Sequence, residues 1–173
     1  MIANFRQSVS CSNGHGYIIN YDLVDIKNLT NDPTILKELD GVFVYDIALK
    51  IVEDNNTKYL KKSINFYSDL NTIASYIHDF LESNKNVILY FFCDNKAVYY
   101  NDKNKSVSCQ EFRSALFSSM FQRFCKTNNS NNYYNFVIEI KGIDETYYTH
   151  LIYDEIHSEK TNKISELLSS MNK

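Results

Sequence analysis

The chain has 173 residues, which suits one domain and would cramp two. Hydrophobic residues make up 44%, with 11 Phe and 14 Tyr, enough for one core, and a net charge of −3 argues against the basic face that nucleic-acid binders use. The opening MIANFRQSVSCSNGHG has no basic start leading into an apolar run, and the longest apolar run, Val87 to Cys93, is far short of the ~18 residues of a membrane helix, so a cytoplasmic protein with no membrane partner is expected.

Asn4 to Ser10 reads as a first strand, and the Asn-Gly and second Gly of Ser12 to Gly16 supply turn chemistry. Tyr17 to Val24 alternates as its hairpin partner. A short helix follows, with Asp32 as cap, Pro33 at the first helical position and Gly41 past the end. Val42 to Glu53 is a long strand whose larger apolar set, Phe43, Tyr45, Ile47, Leu49 and Ile51, shares one face. Asp54-Asn55-Asn56 reads as a turn, with a short strand around Tyr59.

Leu70, Ile73, Ala74, Ile77, Phe80 and Leu81 then fall on one helical face, with Ser68 or Asp69 at the N-cap. Val87 to Cys93 is apolar on both faces, as a strand covered from both sides must be. Strand, helix and strand in this order favour a right-handed parallel crossover. Asn95 to Lys105 is a polar loop. Ser108-Cys-Gln-Glu111 is a capping box opening a helix to near Cys125, its buried face carrying Phe112, Leu116, Phe117, Met120, Phe121 and Phe124. Tyr134 to Lys141 and Glu145 to Asp154 form a hairpin around Gly142-Ile143-Asp144. A last helix from Ser158 to Met171 buries Ile164, Leu167, Leu168 and Met171. The expectation is a single α+β domain of residues 1–173, with one mixed sheet of about six strands and helices packed on it.

The chemistry-bearing residues give no catalytic set. Cys11, Cys93, Cys109 and Cys125 are widely spaced with no CxxC pair, so free thiols are expected. His150 and His157 flank Asp154 and Glu155 without the spacing of a metal helix motif; a strand histidine and a solvated loop histidine is the reading taken. His78 lies near the edge of its helix's apolar face, as a packed histidine rather than a ligand or base. Cys93-Asp94 ends the buried strand, where sheets of this kind often place ligand groups. A nucleophilic cysteine needs a base and an electropositive setting, whereas Asp94 raises a neighbouring thiol's pKa. Packing is therefore expected for Cys93, and a turn or cap role for Asp94. Glu139-x-Lys141 on an apolar strand has the form of a Mg²⁺-dependent nuclease pair, with Asp94 as third residue. The spacing is poor, and both side chains also fit the solvent face of a half-buried strand. The four glycines form no phosphate loop, and with no metal-ligand spacing among the histidines and cysteines, no cofactor and no metal are expected. The pairs Tyr99-Tyr100, Tyr133-Tyr134 and Tyr147-Tyr148 fit ordinary strand propensity or a partner-binding surface.

Two resemblances follow. The order strand (42–53), helix (70–82), strand (87–93), helix (109–125), strand, strand resembles the C-terminal part of the GNAT acyltransferase fold. That resemblance implies an acyl-CoA pyrophosphate loop carrying Gln/Arg-x-x-Gly-x-Gly/Ala, but Lys62 to Asp69 contains no glycine. Asn71-Thr-Ile73, Asp79-Phe80, Val87 to Tyr90, Cys93-Asp94 and Phe112-Arg113 with Phe117 and Phe121 are similar to a family of small bacterial proteins of unknown function. The match lies in the central third of the chain and implies a fold rather than an activity. The leading expectation is a non-enzymatic, macromolecule-binding protein that meets another protein or itself. The alternatives are a GNAT-like acyltransferase with an unusual cofactor loop and a Mg²⁺-dependent nuclease using Asp94, Glu139 and Lys141.

Overall fold

The computed structural model describes residues 4–11, 16–52, 66–93, 108–142 and 145–170. The expected turns at Ser12 to His15, Asp54 to Asn56 and Ile143-Asp144, the strand at Tyr59, the loop Asn95 to Lys105, and Asp94 and Met171 lie outside them. The described elements are β1 (Phe5–Ser10), β2 (Gly16–Val24), α1 (Pro33–Glu38), β3 (Phe43–Val52), α2 (Phe66–Ser83), β4 (Val87–Phe92), α3 (Cys109–Asn128), β5 (Tyr133–Lys141), β6 (Thr146–Asp154) and α4 (Ser158–Ser170). They form an α+β fold with one six-stranded mixed sheet in the order β1-β2-β3-β4-β6-β5.

The centre of the sheet follows from β4. Ile88 and Leu89 point to opposite faces and both have zero exposure, so each face needs a cover. α2 and α3 pack on the face of Leu89, Tyr45, Ile47 and Ile152, and α1 and α4 contribute to the opposite core with Ile88, Val44, Leu151 and Ile164. β3 and β4 are parallel neighbours joined through α2, while every other described strand pair is antiparallel. The β3–β4 ladder runs from Phe43↔Val87 to Asp46↔Tyr90, although β3 continues to Val52.

Local chemistry sets several boundaries as expected. Asp32 accepts from the Thr34 N–H at 2.8 Å and Pro33 opens α1. Gly41 sits at φ +76°, in the left-handed region that favours glycine. Ser108 accepts from the Glu111 N–H at 3.1 Å. Three expectations are corrected. α2 begins at Phe66, so Asp69 lies inside its first turn with zero exposure rather than at the cap. α3 runs past Cys125 to Asn128, and ends where Asn129 turns left-handed (φ 55°) and the Ser130 N–H reaches back to the Cys125 carbonyl at 3.0 Å. Leu49 shares the face of Tyr45 and Ile47 and is 41% exposed, in the part of β3 beyond the described ladder with β4, which stops at Asp46. The helical stripe of α3 also differs: Gln110, Ser114 and Met120 are its buried residues, while Phe112 and Leu116 are half-buried.

Truncation at the two leucines separates core from periphery. Leu89→Ala should cost about 3–4 kcal/mol in chemical denaturation, and Leu49→Ala less than about 1 kcal/mol.

Candidate functional site

Among the described residues, polar or unpartnered groups gather at the C-terminal end of β4, at polar contacts within the core, and along the β5 edge.

At the end of β4, Cys93 is fully buried, and its N–H donates to the Tyr148 carbonyl at 3.0 Å. Tyr148 is in turn the register partner of Glu139, so Cys93, Tyr148 and Glu139 form a row across β4, β6 and β5. That row keeps Glu139 two strand spacings from Cys93, roughly 9.5 Å. Glu139 and Lys141 are solvent-exposed on β5, as a half-buried strand allows. The Tyr148 hydroxyl is held above its usual pKa by burial and by Glu111 and Glu139. Among the described residues no group of three or more His, Cys, Asp or Glu side chains could hold a metal ion, and no helix is long and apolar enough to cross a membrane.

The buried polar contacts lie between elements. Tyr17 Oη donates to Asp69 Oδ2 at 2.7 Å, tying β2 to the first turn of α2. Burial, Asp69 and Cys11 push the Tyr17 hydroxyl well above its usual range. His150, with zero exposure, places Nδ1 at 2.9 Å from Asn135 Oδ1, and Asn135 Nδ2 donates to Ser118 Oγ at 3.2 Å. An amide oxygen can only accept, so His150 is the Nδ1–H tautomer. Its Nε2 has no partner among the described residues, and its ring lies against Phe117 and Phe91. Burial lowers its pKa to about 4. His157 corrects the sequence reading: it is 6% exposed, and Nε2 donates to the Lys85 carbonyl at 2.6 Å. The carbonyl that recruits it comes from the turn between α2 and β4, 72 positions away.

His78 shares a hydrogen bond with Ser130 Oγ at 2.9 Å, an arrangement that also occurs in serine hydrolases. Asp79 is 3.8 Å from Nδ1, beyond hydrogen-bond length, and Ser130 is only 6% exposed. The pair therefore fastens α2 to the segment just after the C-cap of α3. Between those helices lies an apolar cavity of about 40 Å³ lined by Ile73, Ile77, Met120 and Phe121, far below the ~300 Å³ of a small-molecule site.

One polar pair escaped the sequence reading. Asp46 opposes Asp22 across β2 and β3 and is the partner of Tyr90 at the last described β3–β4 rung. Burial, and then Asp22, raise the Asp46 carboxyl above its usual range. Alternation could place both aspartates on one face, but only the register sets them opposite each other.

β5 pairs with β6 along all nine residues, and its other side has no strand partner in the described sheet order. Tyr134 is 42% exposed, Phe136 37% and Val137 36%, and no proline or charge interrupts Tyr134 to Ile138. Tyr134 stacks on Tyr153, with ring centroids 5.9 Å apart.

No family model, curated protein or solved structure matches this chain.

His150 gives a pH dependence. With its folded pKa near 4 against 6.5, its contribution to stability is complete above about pH 6.5 and is lost as pH falls to 4. The full loss is about 3 kcal/mol. Denaturation curves across that window should show it, and His150→Gln should flatten the slope. Tyr17→Phe should cost about 2 kcal/mol near neutral pH by leaving Asp69 buried without this donor.

Proposed function

We propose that this chain is a non-enzymatic, cytoplasmic protein-binding domain that accepts an extended segment of a protein partner along β5. One observation carries the reading: a nine-residue edge strand lined by exposed Tyr134, Phe136 and Val137. Natural edges are blunted by proline, charge, a bulge or shortness. Tyr134 to Ile138 has neither proline nor charge, and its register with β6 is unbroken. Glu139 and Lys141 charge only the end of the strand. The opposite edge, β1, is shorter at six residues and carries Arg6, Gln7 and Ser8. An added strand would gain a row of main-chain hydrogen bonds, and alternate side chains would set its specificity. The aromatic residues are of the kind that anchors interface cores.

The strand arrangement favours a second reading. Parallel β3 and β4 joined through α2, followed by α3 and the β5–β6 hairpin, is the element order on which the acyltransferase resemblance rests. Asp46, half-buried with a raised pKa at the last described rung, would be its general base. Against it, the buried Asp69 already sits in the first turn of α2, where the resemblance puts an anionic pyrophosphate. The buried Cys93 also closes the described end of β4.

Both readings have direct tests. A fluorescein-labelled peptide copying residues 133–141 should rise in anisotropy with the full chain at micromolar concentration, and Val137→Lys should weaken its binding at least ~10-fold. A flat titration to about 100 µM would remove the edge reading. Calorimetric titration with acetyl-CoA should give no saturable heat; saturable heat, together with acetyl transfer that is lost in Asp46→Asn, would favour the enzyme.

A further inference from the structure

Resting on β5 as a strand-accepting edge, we infer that its occupant is β5 of a second copy, paired antiparallel about a two-fold axis at Val137. The two sheets then join into one continuous sheet of twelve strands, six from each copy.

The register follows from the residues. Opposed residues in an antiparallel pair share a face, so a two-fold pairing of this strand is defined by the residue set opposite its own copy. Centring on Val137 uses the whole strand, Tyr133 to Lys141. On one face it opposes Tyr134 to Ile140 and Phe136 to Ile138, apolar throughout. Ile138 is already 4% exposed and packs with Ile140 in the core that includes Ile164 of α4. The exposed Tyr134 and Phe136 of each copy would thus gain a neighbour that is itself backed by a core. On the other face Val137 meets Val137, Asn135 meets Glu139, and Tyr133 meets Lys141. Centring on Ile138 would instead set Val137 against Glu139. Centring on Phe136 would leave Ile140 and Lys141 beyond Tyr133, with no residue of the opposing strand across from them.

Charge favours the same register. No like charges are opposed along the ladder. Tyr133 Oη donates to Glu82 Oε1 at 2.7 Å, and β6 sets Asp154 opposite Tyr133. Lys85 also reaches that hydroxyl at 3.1 Å, but it is held by Glu82 at 2.8 Å. Each Lys141 therefore lies beside a residue flanked on the other copy by two carboxylates and one ammonium, Glu82, Asp154 and Lys85, an excess of one negative charge. Opposite-charge neighbours across strands stabilise an antiparallel ladder, whereas like charges directly opposed destabilise it. Self-pairing also needs no partner of separate sequence, and closes after two copies because the patch is its own complement.

The pairing at Val137 permits a charge-swap test on the full chain. Analytical ultracentrifugation of the wild type should give twice the chain mass at about 100 µM. Val137→Lys and Val137→Glu each place like charges opposite one another, and each should raise the dimer dissociation constant at least ~10-fold. An equimolar mixture should recover a dimer holding one of each. Circular dichroism checks that both variants fold; if either does not, the wild-type mass still decides. A wild-type monomer that nonetheless binds the labelled 133–141 peptide overturns the second copy and leaves the edge reading standing. A monomer that binds no peptide overturns both. A dimer insensitive to both variants, or variants that recover no mixed dimer, overturns this pairing.

Discussion

β4 must be covered on both faces, and most of the architecture follows from that constraint. Ile88 and Leu89 are both fully buried, so β4 requires a neighbour on each side and a packed layer above and below. β3 and β6 supply the neighbours, one parallel and one antiparallel. α2 and α3 close one face, and α1 and α4 pack into the other core. With β6 held against β4, β5 is left at the margin with one row of backbone groups unpaired by the described sheet. The same arrangement that buries the centre therefore exposes the feature on which function is proposed to depend.

The polar contacts inside the fold serve to position elements. Tyr17 and Asp69 join β2 to α2, His157 holds the Lys85 carbonyl, and Ser118, Asn135 and His150 connect α3, β5 and β6. The last of these anchors the edge strand to the layer behind it through Asn135. A firmly held edge loses less entropy when a strand docks, which favours binding over fraying. Buried His150 meets no carboxylate among its described contacts that would hold a charged ring, and the cost appears as acid sensitivity.

Much of the fold was legible in the sequence because its signals are local. The two-faced apolar run at Val87, the Asp32-Pro33 start and the Ser108 to Glu111 box each act within a few residues, and each appears where expected. What escaped depends on distant partners. Asp69 looks like a cap from its neighbours, but its partner Tyr17 lies 52 positions away. His157 looks solvated until the Lys85 carbonyl is placed beside it. The Asp22–Asp46 pair exists only once β2 and β3 are in register. For the candidate interface, the tyrosine pairs and the hairpin were visible in the sequence. Which hairpin strand is the edge was not, because YYNFVIEIK and TYYTHLIYD carry similar apolar alternation and only the sheet order separates them.

Hydrogen–deuterium exchange at increasing protein concentration addresses the β5 edge most directly, since outward amides on an edge strand are protected only when another strand covers them. Between about 1 and 100 µM, β5 amides should become progressively slower to exchange while those of β1 stay unchanged. Exchange at β5 that is independent of concentration, or protection that grows at β1 instead, would contradict the assignment of β5 as the edge where a second copy docks.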